Sequence, residues 1–375
     1  MKKVSILTHS FLDAYNYQIH RLYGGGLERY LYELTKILQG MGIDVDIHQL
    51  SYHKPFHIQM EETEVAGTNV YGYYCNDLDG IGELFQEMEQ KAEGSLIYAS
   101  CIWHPIPYRE GSLGICHGIN WDRIELTEEA KDKVKYNIQQ AINSLGKIVS
   151  VDSHFLTYCR STCQYTNPGK IELIPNFVDI KRFIPVTEVK KKRNFRILYP
   201  RRISHERGIL LMMAATDIWL KEYENIEVDF AGEVIHGTES ARVFKYWLSN
   251  HPHKDRIRHH VYSFDEMPIA YQQADLVVIP TVFSEGTSLS CLEAMSSGLP
   301  VLATTIGGLN DLLIDGYNGR LIMPTVDQLV EAVGSIMSDQ RKGAEMGERA
   351  RETAKAFDKR IWQQKWEGVL NTYLN

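Results

Sequence analysis

Asp275-Leu276-Val277-Val278-Ile279-Pro280-Thr281, followed by Phe283-Ser284-Glu285-Gly286-Thr287-Ser288-Leu289-Ser290-Cys291-Leu292-Glu293-Ala294-Met295, reads as a buried strand that turns into a helix. The short apolar run suits a strand covered on both faces, and such strands belong to parallel sheets. Gly286 permits a tight turn, and Thr287 or Ser288 can cap the first helical N–H groups. A helix start lined by small residues is a ready anion site. Glu285 stands before that start and Glu293 lies two turns on, so their eight-residue separation is roughly 12 Å along a helix axis. That exceeds the roughly 5–9.5 Å between the paired carboxyls of a glycosidase. The two glutamates are therefore expected to grip opposite ends of an extended ligand with an anionic middle, the shape of a sugar joined through diphosphate to a ribose.

Outward from this stretch, strand-like and helix-like segments alternate through the whole chain, the pattern of parallel sheets with crossover helices. In the first half the expected strands are 4–8, 45–50, 70–74, 96–100, 113–116, 148–151 and 171–174. The helix from Leu27 keeps Tyr30, Leu31, Leu34, Ile37, Leu38 and Met41 on one face, and a second long helix, 128–145, follows Thr127. After residue 195 the same pattern restarts, with strands at 197–199, 228–231, 257–262, 276–280, 301–304 and 320–322. The tail, 341–356 and 359–373, is helical and carries Trp362, Trp366 and Tyr373 for docking. Two doubly wound, Rossmann-like domains are expected: residues 1–178, completed by the C-terminal helix 359–375, and residues 196–358. Residues 179–195, ending in Lys190-Lys191-Lys192-Arg193, are expected to link them. Ligands of such sheets lie beyond the strands' C-terminal ends, and a cleft between two such edges would hold two substrates.

The composition narrows the function. With 375 residues, 44 % hydrophobic and 23 % charged, the chain can fill two full cores. A net charge of −8 argues against a nucleic-acid partner. No apolar run reaches the length of a membrane span or signal peptide, so no integral membrane segment is expected. Six cysteines without a Cys-x-x-Cys pair suit free thiols and a cytoplasmic setting.

Several other stretches have the chemistry of a site. Tyr199-Pro200-Arg201-Arg202-Ile203-Ser204-His205-Glu206-Arg207-Gly208 puts three arginines at a strand's C-terminal edge, where guanidinium forks suit phosphate oxygens. Gly24-Gly25-Gly26 opens the Leu27 helix and lets backbone approach a phosphate, although it is neither a dinucleotide fingerprint nor a P-loop. His117 ends an apolar strand just before Gly118. Asp44-Val45-Asp46 and Asp77-Leu78-Asp79 spell Asp-x-Asp but read as structural, the second as a helix N-cap, and the scattered histidines lack metal-ligand spacing. No metal and no cofactor are expected.

Taken together these stretches resemble glycosyltransferase family 4, retaining enzymes of the GT-B fold. The carriers are Glu285-x7-Glu293 in a Ser-Glu-Gly-x-Ser-Leu context and Arg202-Ile203-Ser204-His205-Glu206-Arg207-Gly208, similar to the family's Arg-Leu-x-x-Glu-Lys-Gly. Ser297-Gly298-Leu299-Pro300-Val301 with Ile306-Gly307-Gly308, Pro175-Asn176-Phe177-Val178-Asp179, Gly25-Gly26 and His117 add to it. Arg207 stands for the family's lysine, Arg201 for its first glycine and Phe177 for a hinge glycine. The resemblance implies a nucleotide-sugar donor, UDP by family frequency, and a metal-independent transfer of a hexose to an acceptor hydroxyl. Glu285 would contact the donor sugar and Glu293 the ribose. Backbone at Gly286, Thr287, Ser288 and Leu289 would hold sugar and diphosphate, with Arg202 and Arg207 on the leaving diphosphate. His117 would lie by the reacting sugar and Gly25-Gly26 near phosphates or acceptor. The acceptor, a glycan, lipid-linked or small molecule, would bind the first domain. Trp103-His104-Pro105, Asn120-Trp121-Asp122 and Tyr15–Tyr17 are candidate lining there. The protein would be cytoplasmic, free or peripheral to the inner face of a membrane. The rival readings are an inactive GT-B protein that only binds sugar nucleotides or glycans, and a nicotinamide dehydrogenase, which the missing Gly-x-Gly-x-x-Gly disfavours.

Overall fold

The computed structural model describes residues 2–61, 63–118, 120–186 and 194–374. The chain forms two compact units, Met1–Pro175 with Trp362–Asn375, and Asn176–Ile361. The first unit holds strands β1 (Lys3–Thr8), β2 (Leu12–Asp13), β3 (Gln18–Leu22), β4 (Asp44–Ser51), β5 (Phe56–Gln59), β6 (Asn69–Tyr74), β7 (Ser95–Tyr98), β8 (Leu113–Cys116), β9 (Lys147–Ser150) and β10 (Ile171–Leu173). Eight of them make one sheet in the order β10-β9-β8-β7-β1-β4-β6-β5, and β2 pairs with β3 in a hairpin. Every neighbouring pair in the large sheet is parallel except β5 against β6. The hairpin and β5 have weak strand patterns, with half-exposed residues throughout β5, and the sequence reading missed them. It also missed the helix Ser153–Thr162, whereas the helix expected after Asp79 runs Ile81–Lys91.

The second unit contains β11 (Phe195–Tyr199), β12 (Ile226–Ala231), β13 (Ile257–His260), β14 (Leu276–Ile279), β15 (Val301–Thr304) and β16 (Arg320–Ile322), ordered β13-β12-β11-β14-β15-β16 and parallel throughout. Every residue of β11, β14 and β15 is buried. This is the apolar-run signature of a sheet covered on both faces. Each unit reverses its strand order once, between β1 and β7 in the first and between β11 and β14 in the second, and such reversals are where doubly wound sheets bind ligands.

The expected end of the first domain at residue 178 and the start of the expected linker, 179–195, are both part of the second unit's core. Phe177, Val178 and Phe183 are buried in the second unit, Ser296 donates to the Phe183 carbonyl at 2.7 Å, and Arg351 donates to the Ile180 carbonyl at 2.8 Å. Burial of those apolar side chains outweighs the loop-like look of a proline-flanked segment, so the first unit ends at Pro175. Lys190–Arg193 lies outside the described residues.

The last helix, Lys359–Leu374, enters the first unit through aromatic side chains. The Trp366 indole N–H donates to the Tyr30 hydroxyl at 2.8 Å, both rings being fully buried, and the Tyr373 hydroxyl donates to the Leu96 carbonyl at 2.7 Å. Trp366→Ala should therefore cost about 3–5 kcal/mol. The exposed control Gln364→Ala should stay within about 0.5 kcal/mol of wild type in urea unfolding.

Candidate active site

In the second unit the two loops that leave β11 and β14 carry the arginines and Glu285. Ser284 adopts φ 35°, a left-handed conformation in a residue with a side chain, just before Glu285. Such a backbone persists only where its surroundings fix it, at about 1–3 kcal/mol. Those surroundings are visible. The Gly308 N–H donates to the Glu285 carbonyl at 2.7 Å, and a Cβ on Gly308 would stand 2.5 Å from the Gly286 carbonyl carbon. On Gly307, at φ 50°, a Cβ would meet the Glu285 carbonyl oxygen at 2.2 Å. This close backbone approach explains the glycine pair. From the other side, the Asn176 N–H donates to the Thr287 hydroxyl at 2.7 Å.

The helix Leu289–Ser296 starts where the turn ends. Ser288 is its N-cap, accepting from the Cys291 N–H at 3.5 Å, whereas Thr287 is engaged by Asn176. The arginine loop is held by the buried Tyr199 hydroxyl, 3.2 Å from the Arg202 carbonyl and 3.0 Å from the Arg207 carbonyl. Gly208 closes this loop at φ 77°, where a Cβ would stand 1.8 Å from the Pro280 carbonyl oxygen.

These loops bring Glu285 to two cations. One carboxylate oxygen, Oε2, accepts from Arg201 Nη2, from Arg207 Nη1 and from the Thr281 hydroxyl, the last at 3.1 Å. Arg201 also donates through Nη1 to the Ser288 hydroxyl at 2.7 Å. Among the described residues no hydrogen bond falls on Oε1. Glu285 is only 7 % exposed. Burial alone would raise its carboxyl, but Arg201 and Arg207 outweigh burial and hold it below the ordinary range. Burial lowers Arg207 to about 10, a value that leaves it charged at neutral pH. Three charge-assisted bonds on one oxygen fix the orientation of the carboxylate.

Arg201 is the residue that sequence reasoning left without a role. Arg202, mapped to the family arginine, is half-buried beside it. Arg207, expected on a diphosphate, donates through Nη1 to Glu285 Oε2. Glu293, 5 % exposed on the helix, accepts from the Tyr271 hydroxyl at 2.8 Å. Nothing in sequence spacing points to Tyr271, which comes from the helix Met267–Gln273.

The first unit places His117 directly after β8, its ring edge-on to Tyr30 at 4.7 Å. Its Nε2 is buried without a partner among the described residues. Burial, helped by His9, holds the ring down to about 3, so it acts as a neutral hydrogen-bonding group at neutral pH. Gly25 is the N-cap of the helix Gly26–Gly40. A Cβ there would stand 2.1 Å from Glu28 Oε2, so a buried carboxylate already lies against this helix start. Trp121, a candidate lining residue, is buried core against Phe155 and Tyr158. Asp46 pairs with Lys3 at 2.7 Å. Asp77 closes a turn onto the Asp79 N–H at 3.0 Å, while the following helix is capped at Gly80, so Asp77 is not the N-cap. Among the described residues no group of three or more His, Cys, Asp or Glu could hold a metal ion, and no helix is long and apolar enough to cross a membrane.

Known proteins share this architecture. Residues 180–353 match the family of glycosyl transferases group 1. A D-inositol 3-phosphate glycosyltransferase of Paenarthrobacter aurescens is 27 % identical over 54 % of this chain and 51 % of its own length. The chain thus spans about half the length of that curated relative. An uncharacterized glycosyltransferase of Methanocaldococcus jannaschii is 25 % identical over 84 % of this chain and 86 % of its own. Sucrose-phosphate synthase from Thermosynechococcus elongatus superposes with TM-score 0.78 at 17 % identity, covering 99 % of each chain. Anabaena HepE, solved with UDP-glucose, superposes with TM-score 0.74 at 16 % identity, covering 99 % of this chain and 100 % of that one. The fold is GT-B.

Glu285 also sets an acid limit on stability. Its carboxyl is depressed in the folded state, so its contribution is complete above the unfolded value of about 4.3 and is lost as pH falls through the lower folded value. Glu285→Gln strands two buried guanidinium groups and should cost about 3–5 kcal/mol at pH 7. The gap from wild type should narrow as pH falls below about 4 in urea unfolding.

Proposed function

We propose that this protein is a retaining glycosyltransferase that moves a hexose-type sugar from a nucleoside-diphosphate sugar, UDP favoured, to an acceptor hydroxyl. The observation that carries this reading is Glu285, fixed through Oε2 by Arg201 and Arg207 and open at Oε1, beside a capped helix start at the strand-order reversal. Oε1 would accept from a hydroxyl of the donor sugar. The helix start and the arginine loop would meet the diphosphate, and Glu293 the ribose. The family match over residues 180–353 supports the reading, as does the UDP-glucose bound to the structurally similar Anabaena protein.

Departure of a nucleoside diphosphate builds negative charge on the leaving oxygen, and fixed cations and helix N–H groups stabilise that charge. Arg202 and Arg207 would supply it without a metal. In the retaining step the bond from the anomeric carbon to the phosphate oxygen breaks, and a bond to the acceptor oxygen forms on the same face. The acceptor proton goes to the departing phosphate. No side-chain base is then required. The neutral ring of His117, in the first unit, would donate or accept a hydrogen bond to substrate.

A panel of UDP- and GDP-sugars tests the proposal. A UDP-sugar should raise the melting temperature and be slowly hydrolysed, with EDTA leaving turnover unchanged and the product keeping the donor's anomeric configuration. Glu285→Gln should lower kcat about 10²-fold or more. Failure of every nucleotide sugar to bind would remove the proposal, and binding without turnover on any acceptor or water would favour an inactive sugar-nucleotide-binding protein.

A further inference from the structure

We infer that Arg201 is a positioning residue for donor-sugar recognition, acting through Glu285, which it ties to the Ser288 cap. The inference rests on the proposed donor site and adds to it a residue that departs from the resembled pattern, where glycine stands at this position.

The geometry is a bridge. Arg201 reaches Glu285 Oε2 with Nη2 and the Ser288 hydroxyl, at 2.7 Å, with Nη1. One planar fork therefore joins the carboxylate to the residue that caps the helix Leu289–Ser296. The side chain is 7 % exposed, and the backbone beneath it is equally fixed. A Cβ on Gly232 would stand 1.9 Å from the Arg201 carbonyl oxygen, so the loop after β12 presses directly on this residue. A planar guanidinium held at both ends has one rotamer to offer, which a lysine ammonium cannot imitate.

The charge balance explains why a second cation is useful. Glu285 is buried and needs a positive partner to stay ionised. Arg207 is one partner, yet it is also the group proposed to meet the leaving diphosphate. If Arg207 turned to a phosphate, a carboxylate without Arg201 would face desolvation with only the Thr281 hydroxyl on Oε2. Arg201 removes the conflict. It keeps Oε2 neutralised and Oε1 directed at the sugar while Arg207 is committed to phosphate. The groups facing Glu285 are thus Arg201, Arg207 and Thr281, with Arg202 and Glu206 in the same loop acting on Arg207.

The consequence is separable from diphosphate binding. Arg201 should govern the affinity gained from the sugar, read as the ratio of the Kd for UDP to the Kd for the UDP-sugar that wild type prefers. In calorimetry, Arg201→Met should lower that ratio about 10-fold, the scale of one charge-assisted contact, while the Kd for UDP alone moves less than about 3-fold. Arg201→Lys, which keeps the charge without the fork, should fall between the two. In the Glu285→Gln background, Arg201→Met should change the ratio no further, because the carboxylate it serves is neutral. Arg201→Met leaves Glu285 paired with Arg207, and the urea unfolding midpoint of each variant checks that it is folded before the ratio is read. An unchanged ratio in Arg201→Met overturns the inference. So do an equal loss for UDP and UDP-sugar, and a full 10-fold loss in the Glu285→Gln background. If wild type binds neither UDP nor any nucleotide sugar, the donor-site reading itself fails and takes the inference with it.

Discussion

The second unit is arranged around one buried carboxylate. Glu285 needs compensation inside a loop that has little water to offer, and Arg201, Arg207 and Thr281 provide it on a single oxygen. Each partner depends on a different segment: Arg201 and Arg207 on the loop leaving β11, Thr281 on the residues after β14, and Ser288 on the start of the next helix. Strand adjacency in the order β12-β11-β14 is what makes these loops neighbours. The parallel sheet is therefore a device for bringing arginines 84 and 78 positions from Glu285 to one of its oxygen atoms, and the apolar strands below supply the rigidity.

A second constraint is backbone contact. Gly208 against Pro280, Gly232 against Arg201, and Gly307 and Gly308 against the Glu285 turn all place main chain where a Cβ would collide with main chain. These contacts hold the unusual φ of Ser284 and so the direction of the Glu285 side chain. Polar fixation and steric fixation act on the same few residues from opposite sides. A site meant to stabilise developing charge benefits from this, because groups already oriented need not reorganise during the reaction.

Much of this was legible in the chain. The alternating strands and helices, the turn at Gly286, the Ser288 cap and the buried strand before Glu285 are local signals, written in neighbouring residues. The pairing of Arg201 with Glu285 was not, because two adjacent arginines look alike in sequence and only the three-dimensional path of the loop after β11 selects which one turns inward. Tyr271 beside Glu293 and Asn176 beside Thr287 were hidden for the same reason. The segment around Phe177 and Phe183 read as a linker since its prolines and charges are local features, whereas its burial depends on a helix more than a hundred residues away, through Ser296. Glu28 against Gly25 at the first helix start is a contact that helix spacing of three residues could have suggested.

The glycine pair at 307 and 308 has a further consequence for anyone redesigning the protein. Because its neighbours are main-chain atoms of the Glu285–Thr287 turn, no choice of side chain at these two positions can be accommodated by repacking. A randomised library that includes them would be depleted of folded members without gaining new pocket shapes. Useful diversity lies instead where side chains meet side chains, around Ser288, Thr281 and the arginine loop, and the frame at 307 and 308 is best left as nature built it.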